Sequence, residues 1–172
     1  FGDADHGLTM AKIAGAISEA VDAAEGGLQS MLDDAAMAVM TLNGGSAVPL
    51  WNTWLDGLQE EAPEGEEIDV AGLKAIFAKA LEELEDMSCA KVGDKTMMDA
   101  LIPASEAVAA YTGDSADELF DAAAQAAAQG AEATKQYVSK FGRAKSYGTK
   151  TIGTPDAGAV SMSWFFQGLA RE

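Results

Sequence analysis

The first residues of the sequence place two carboxylates close together, in the run Gly2-Asp3-Ala4-Asp5-His6-Gly7. One small residue separates Asp3 from Asp5, and the flanking glycines let the backbone approach a ligand closely. Hard oxygen ligands at this spacing suit Mg²⁺ or Ca²⁺. The alternative is a loop whose aspartate caps the next helix. His6 is the only histidine, and it has either a structural or a catalytic role.

A second polar run, Asn43-Gly44-Gly45-Ser46 followed by Pro49, is typical of an anion-binding loop at the start of a helix. Free backbone N–H groups and the helix dipole favour phosphate at such a place. In isolation, the pattern fits an ordinary glycine-rich turn better. The sequence therefore predicts a phosphate loop only if other motifs support it.

Two further glycine-rich runs carry polar residues. Gly93-Asp94-Lys95-Thr96-Met97 is not a P-loop, because the spacing of that motif and its preceding strand are both missing. Gly142-Arg143-Ala144 and Lys150 place two cations in one joint of a strongly acidic chain. They indicate either an anionic ligand or solvated loop charges. Asp156 can cap the last helix or contact a ligand.

The elements between these runs have helical periodicity, which predicts a single all-α domain over residues 1–172. Seven helices are expected, with an eighth upstream of residue 1, as an antiparallel up-and-down bundle or barrel. Asp69 is a predicted helix cap, and Ser115 with Glu118 is a predicted capping box at the start of a helix that extends to about Lys140. Pro103 is expected to kink its helix or delay its start.

Composition limits the function classes. The 172 residues include 11 basic and 28 acidic ones, for a net charge of −17. Nucleic acid and an anionic membrane surface are therefore not expected as partners. Cys89 is the single cysteine, so no disulfide can form within the chain, which fits the cytoplasm. Cys89 is predicted to be a small apolar filler of the core.

The four glycine-rich joints are expected to meet at one end of the bundle, because alternate joints of such a bundle share an end. Together they resemble the L-subunit family of dihydroxyacetone kinases, in family order and over almost the whole chain. The runs that carry the resemblance are Gly2 to Gly7, Gly44-Gly45-Ser46 with Pro49-Leu50, Gly93 to Met97, and Gly142-Arg143-Ala144 through Ile152-Gly153 to Asp156 and Gly158-Ala159.

The resemblance implies a site for ADP or ATP with Mg²⁺. Asp3 and Asp5 match two of three metal-binding aspartates, and the third is expected upstream of residue 1, so the sequence is expected to be incomplete at its N-terminus. His6 would lie near the phosphates and Lys150 would add positive charge. The nucleotide-binding positions would be Gly44, Gly45, Ser46, Ala47, Thr96, Met97, Gly142, Arg143, Asp156 and Ala157.

The resemblance also implies partners and an activity in glycerol metabolism. The L subunit phosphorylates dihydroxyacetone or a similar small ketose on a K subunit, and a phosphotransferase-system protein recharges its ADP. In the other branch, K and L domains are fused and use free ATP. The Asp-Ala-Asp-His form resembles the separate-subunit branch, and a homodimer is a further expectation.

Two positions depart from the family pattern. Ala47 and Val48 stand where the family has Ser and Gly, and a β-branched residue at position 48 is expected to reshape the phosphate loop. A non-catalytic nucleotide-binding or regulatory homologue is therefore the alternative to an active phosphotransferase.

Overall fold

The computed structural model describes residues 5–171, and every regular element in this range is helical. The seven α-helices are α1 (His6–Ala23), α2 (Leu28–Met40), α3 (Ala47–Glu60), α4 (Val70–Met87), α5 (Met98–Ala110), α6 (Ala116–Ala133) and α7 (Ala157–Leu169). Residues Thr134–Gln136 form a 3₁₀ turn, and Arg143–Thr151 is 3₁₀ with a kink at Gly148, where the backbone is not helical. The predicted all-α fold class is confirmed, and the expected number of helices is found in the described range.

The described chain divides into two compact units, residues 5–88 and residues 89–171. In the first unit, α1 packs on α2, α2 on α3, and α3 on α4. The fully buried Trp54 lies at its centre, with its ring 5.7 Å from that of Trp51 and 6.1 Å from that of Phe77. A β-carbon on Gly57 would stand only 2.6 Å from the Cα atom of Ala80, so α3 and α4 approach closely. The prediction of one domain stays a prediction.

The acidic connection between α3 and α4 binds the start of α2 in the first unit. Its carbonyls accept hydrogen bonds from the first turn of α2, from Leu28 N to Gly65 O at 2.8 Å and from Gln29 N to Pro63 O at 3.1 Å. These bonds satisfy amides that have no partner within their own helix. The predicted cap Asp69 is confirmed, because its carboxylate accepts from the Gly72 amide at 2.7 Å.

In the second unit, α5 and α7 both pack on the alanine-rich helix α6 and on each other. Small buried side chains on α6, such as Ala123 and Ala127, let its neighbours come close. The Ser115 cap is confirmed by the bond from Glu118 N to Ser115 Oγ at 3.3 Å. The Glu118 carboxylate accepts instead from the Tyr111 hydroxyl at 2.8 Å, so the second half of the capping box is replaced.

The predicted length of α6 is wrong, because this helix ends at Ala133 rather than near Lys140. The Thr134 hydroxyl donates to the Ala131 carbonyl at 2.5 Å, and the Thr134 carbonyl accepts from the Lys95 ammonium at 2.6 Å. The backbone carbonyl that an α-helix would use for its next turn is thus bound to a distant side chain. The chain continues instead as a short 3₁₀ turn.

Helix α5 begins at Met98, five residues before Pro103, so the expected delay of its start is wrong, and the expected kink at Pro103 stays a prediction. Pro103 lacks the backbone N–H that would otherwise donate to the Asp99 carbonyl within α5.

Cys89 is exposed rather than buried, so the expectation that it fills the core is wrong. It follows the end of α4 and lies beyond the buried stripe of that helix. Within residues 5–171, none of the helices has the length and apolar character needed to cross a membrane.

Candidate functional site

The first unit places Asp5 at the start of α1 with its side chain unused by the helix. Asp5 is exposed and occupies the cap position, yet its carboxylate accepts no capping hydrogen bond. Only its backbone carbonyl takes part, accepting from the Thr9 amide at 3.0 Å. The alternative interpretation of Asp5 as a side-chain cap is therefore not realised. His6 is the first residue of α1 and is half-buried, whereas Asp3 lies outside the described residues.

The glycine-rich loop before α3 packs against α1. A β-carbon on Gly44 would stand 3.0 Å from Cγ2 of Thr9 and 2.6 Å from Cγ2 of Val48. No other residue type fits at position 44 without a shift of these neighbours. The structure thus brings the loop of residues 43–46 next to the first turns of α1. We call Asp5, His6, Thr9 and residues 44–47 the first cluster.

The start of α3 offers backbone amides to a ligand. Ser46 holds the cap position without a side-chain capping bond. The Val48 amide donates to the Gly45 carbonyl at 3.2 Å, Pro49 has no N–H, and the Leu50 amide begins the helical bonding to the Ser46 carbonyl at 3.4 Å. The amide of Ala47 has no acceptor in the part of the chain that the structure describes. An anion could accept from it.

Val48 does not strain this loop. It is the second residue of α3 and is buried. Lys95 is the one non-glycine residue of the described range with a positive φ, so Val48 needs no backbone shape reserved for glycine. Val48 therefore adopts its backbone without strain, whereas a phosphate loop reshaped relative to the family stays a prediction. Ala47 likewise occupies an ordinary helical position.

In the second unit, Asp99 fixes the loop that precedes α5. The Asp99 side chain is almost fully buried, and its two carboxylate oxygens accept from the Gly93 amide at 2.6 Å and from the Thr96 amide at 2.7 Å. The Thr96 hydroxyl in turn accepts from the Met98 amide at 3.2 Å. Thr96 and Met97 therefore have defined positions at the start of α5.

The segment before α7 meets this loop. The Asp156 carboxylate accepts from the Ala159 amide at 2.8 Å, which confirms the capping interpretation of Asp156 and makes Ala157 the first residue of α7. A β-carbon on Gly158 would stand 3.3 Å from Cβ of Met97. The structure thus brings Met97 together with the residues around Asp156. We call residues 93–99, 134 and 142–159 the second cluster.

The basic residues predicted to meet an anion lie on the surface of the second cluster. Gly142, in a left-handed conformation with φ 59°, precedes the 3₁₀ segment that contains Arg143 and Lys150. Both side chains are exposed. Residues 133–155 contain five of the eleven basic residues and no acidic one. This local charge is opposite to that of the whole chain and suits an anionic ligand. That both clusters form one site stays a prediction.

An ion pair joins the loop before α5 to Lys140, which lies two residues before the 142–159 segment of the second cluster. The Asp94 carboxylate accepts from the Lys140 ammonium at 2.6 Å and from the Lys91 amide at 2.8 Å. The Lys140 amide also donates to the Asp94 carbonyl at 3.1 Å. The Lys140 ammonium, and after it the Lys91 amide, hold the pKa of Asp94 below its ordinary value of 3.8. The charged carboxylate is therefore favoured in the folded protein.

Replacement of Asp94 by Asn is expected to lower stability in a pH-dependent way. Because the folded-state pKa is depressed, the contribution of Asp94 is present above about pH 4 and is lost as the pH falls through the folded-state pKa. The Lys140 side chain is 61% exposed, so solvent screening limits the loss to about 1 kcal/mol or less. Urea unfolding at several pH values would measure it.

The control for this prediction is Glu132→Gln, which breaks the exposed ion pair between Glu132 on α6 and Lys135 in the following 3₁₀ turn. This variant should change the pH dependence of unfolding less than Asp94→Asn does. A stability difference for Asp94→Asn that persists unchanged at pH 2 would contradict the electrostatic origin of the effect.

The described carboxylates do not form a complete site for a divalent cation. Residues 5–171 contain no group of three His, Cys, Asp or Glu side chains that could hold a metal. The predicted ligand Asp3 lies outside this range. Asp5 fits the part assigned to it, because its exposed hard-oxygen carboxylate is not used by the helix that it begins. Thus Asp5 is a candidate Mg²⁺ ligand, in a set that needs further donors.

Sequence reasoning missed the buried polar residues behind these loops. Thr9 packs on Gly44, and Lys95 donates to two backbone carbonyls. The Thr134 hydroxyl accepts a hydrogen bond from the Asp156 amide at 2.8 Å. Lys95 lies in a run that carries the family resemblance, but no pattern indicated that its ammonium binds two distant carbonyls. No sequence pattern predicted the role of Thr134, because a threonine within a helical pattern does not by itself indicate a helix end or a tertiary hydrogen bond.

Comparison with known proteins gives one consistent result. A family model described as the DAK2 domain matches residues 1–171. An L-erythrulose kinase of Pectobacterium atrosepticum is 36% identical over 181 residues, which cover 98% of this chain and 30% of that protein. A D-erythrulose kinase of Mycolicibacterium smegmatis is 35% identical over 94% of this chain and 29% of its own length. The chain thus spans about 30% of these curated relatives.

Shorter relatives are matched over most of their length. The ADP-binding subunit DhaL of PEP-dependent dihydroxyacetone kinase 1 from Listeria innocua is 30% identical over 99% of this chain and 81% of that subunit. The corresponding subunit of Escherichia coli is 28% identical over 98% of this chain and 82% of its own length. Because one family model and relatives of both lengths match nearly every residue, the chain belongs to the DAK2-domain family, whose members include dihydroxyacetone and erythrulose kinases.

Proposed function

We propose that the chain binds ADP or ATP with Mg²⁺ and transfers a phosphoryl group to dihydroxyacetone or a similar small ketose held on a K component. One observation carries this proposal: the similarity to ADP-binding subunits extends over about four-fifths of their length. The described loops support it, since each cluster presents groups that suit a nucleotide phosphate or its metal ion.

The first cluster would hold the phosphates and the metal. Asp5 would bind Mg²⁺ together with Asp3, and the amides near Gly45, Ser46 and Ala47 would donate hydrogen bonds to the phosphate oxygens. A bound Mg²⁺ supplies charge neutralisation for the transferring group. His6, at the start of the same helix, would lie close to the phosphates.

The second cluster would hold the nucleoside side and add positive charge. Thr96 and Met97 would contact the nucleoside together with Asp156, while Arg143 and Lys150 would face the anionic ligand. Phosphoryl transfer asks a protein chiefly for positioning and charge stabilisation. The loop before α5 is tied by Asp99 and by the Asp94–Lys140 pair, which suits a positioning role.

The relatives suggest which ketose accepts the phosphoryl group and which molecule donates it. Identities of 36% and 35% to erythrulose kinases make the four-carbon ketose erythrulose a candidate beside dihydroxyacetone. A fused kinase would use free ATP, whereas a separate subunit would retain ADP and be recharged by a phosphotransferase-system protein. Assays with a K component should therefore compare both ketoses and both phosphoryl donors.

The non-catalytic alternative depended on Ala47 and Val48. Both residues occupy the first turn of α3 in ordinary helical backbone. Neither one therefore removes the amide donors at the start of that helix, and we favour the active phosphotransferase.

Calorimetric titration with ADP tests the proposal directly. We expect binding that is strong with Mg²⁺ and much weaker with a chelator, because the metal bridges carboxylate and phosphate. AMP and inorganic phosphate, titrated separately, show which part of the nucleotide is recognised. Absence of binding to ADP and ATP under every condition would overturn the proposal.

A further inference from the structure

Lys95 differs from most lysines in two respects: its backbone has a positive φ, and the residue is buried. Its φ of 62° lies in the left-handed region, where L-residues with a β-carbon meet a steric cost. Its side chain is only 4% exposed. Such a conformation persists where the surroundings enforce it, and it is found preferentially at functional sites.

The Lys95 ammonium joins two separate parts of the second unit. Its Nζ atom donates to the Thr134 carbonyl at 2.6 Å and to the Thr154 carbonyl at 2.6 Å. Thr134 follows the last residue of α6, where the helix dipole favours a cation. Burial lowers the pKa of the Lys95 ammonium, and the carboxylates of Asp156 and Asp99 oppose that effect. We call these two bonds the Lys95 bridge.

The segment that Lys95 reaches is tied to the same turn by two other bonds. The Gly153 amide donates to the Lys135 carbonyl at 2.7 Å, and the Asp156 amide donates to the Thr134 hydroxyl at 2.8 Å. These bonds connect residues 153–156 with residues 134–135 only. Lys95 adds the connection to the loop that carries Thr96 and Met97.

The loop at the other end of the bridge is itself held in place. Asp99 accepts from the amides on both sides of Lys95, those of Gly93 and Thr96. The Lys95 side chain therefore starts from a fixed backbone and ends on two fixed carbonyls. A rigid connection of this kind can set the distance between two loops before any ligand binds.

We propose that Lys95 is a positioning residue, whose bridge between the Thr134 and Thr154 carbonyls holds the Asp156 segment against the Thr96–Met97 loop in the geometry that nucleotide binding needs. This inference rests on the proposed function of the second cluster. Lys95 would act through these loops, without contact to the nucleotide.

Two substitutions at position 95 separate the bridge from the backbone. Lys95→Met keeps most of the apolar stem but removes the donor, whereas Lys95→Gly also relieves the left-handed backbone. We expect both variants to bind ADP with Mg²⁺ about 10-fold more weakly, because the two carbonyls lose the ammonium that joins them and the segment must be ordered by the ligand. In the protein without nucleotide, hydrogen exchange of the Gly153 and Asp156 amides should accelerate.

Two controls distinguish positioning from general stability. Lys79→Met removes an equal charge from α4, outside both clusters, where the ammonium pairs with Glu83 at 2.6 Å. Val108→Ala opens a buried position near the other end of α5 and should lower the melting temperature. We expect neither control to change ADP affinity at a temperature where all variants are folded.

The outcomes separate this inference from the proposed function. Unchanged exchange at Gly153 and Asp156 in both Lys95 variants would overturn the inference, as would faster exchange with unchanged ADP affinity. If the unmodified protein binds no ADP, the proposed function fails, and the inferred role of Lys95 in nucleotide binding fails with it. In that case faster exchange would still establish a bridge that only stabilises the loops. If Lys95→Met does not fold, Lys95→Gly decides.

Discussion

Replacement of Asp5 by Asn is expected to abolish the Mg²⁺ dependence of ADP binding. The substitution keeps the size of the side chain but removes the charge that a divalent cation requires of its ligand. Mutation of a residue that only hydrogen-bonds to a metal ligand already lowers metal affinity about 10- to 100-fold. Loss of a ligand itself should therefore weaken ADP binding at least about 100-fold when Mg²⁺ is present. Calorimetric titration of both proteins, with Mg²⁺ and with a chelator, measures this.

The same substitution should leave the fold intact. The Asp5 carboxylate caps no amide of α1, and the bond from Thr9 N to the Asp5 carbonyl involves the backbone only. The lost interaction with the helix dipole amounts to about 0.3–1 kcal/mol. Asp34→Asn, which removes one exposed charge from α2, is the matched control and should bind ADP normally.

The comparison between conditions gives the sharper test. Asp5→Asn with Mg²⁺ should resemble the unmodified protein in chelator, because both lack a metal held by this carboxylate. If Asp5→Asn binds ADP as tightly as the unmodified protein does with Mg²⁺, Asp5 is not a metal ligand. The acidic run at the start of the chain would then be an ordinary loop.

Local signals in the sequence predicted the helices and many of their ends. Asp69 and Ser115 cap the amides three residues ahead of them, so each acts over a distance that a sequence pattern contains. Apolar periodicity likewise predicted α4, since its buried residues follow one stripe. These features depend on neighbours in the chain and therefore need no knowledge of the tertiary structure.

The missed features depend on residues that are far apart in the sequence. The acceptors of Lys95 lie 39 and 59 positions further along the chain, and no local pattern announces them. The same contact lies where the alanine-rich pattern wrongly predicted a longer α6. There the Thr134 carbonyl accepts from the Lys95 ammonium and, within a 3₁₀ turn, from the Tyr137 amide. Tertiary bonds thus accompany this helix end and set the geometry of the second cluster.

Gly130 lies where α5 and α6 approach each other closely, so we expect Gly130→Ala to lower the stability of the protein strongly. A β-carbon on Gly130 would stand 1.9 Å from the Asp99 carbonyl oxygen and 3.2 Å from the Cα atom of Ala100. This carbonyl has no helical donor, because Pro103 lacks the N–H that would reach it. The Cα–H group of Gly130 can approach it closely as a weak donor.

Gly130→Ala is expected to destabilise the protein by about 2 kcal/mol, at the upper end of overpacking costs, because the atom it meets is backbone. Overpacking costs about 1–3 kcal/mol or more when the neighbour is backbone, and the better helix propensity of Ala offsets at most about 1 kcal/mol. Gly168→Ala on α7 is the control, since a β-carbon there meets no atom within 4 Å. Urea unfolding of the two variants should differ clearly, and equal stabilities would show that α5 and α6 can separate at little cost.

The position of Gly130 also links packing to the candidate site. The residue that its β-carbon would displace, Asp99, holds the Gly93 and Thr96 amides through its side chain. A shift of α5 away from α6 should therefore move the Thr96–Met97 loop as well as lower stability. We expect Gly130→Ala to weaken ADP binding at temperatures where the variant remains folded, whereas Gly168→Ala should not. A variant that is destabilised but binds ADP normally would show that the loop follows α5 less closely than its hydrogen bonds imply.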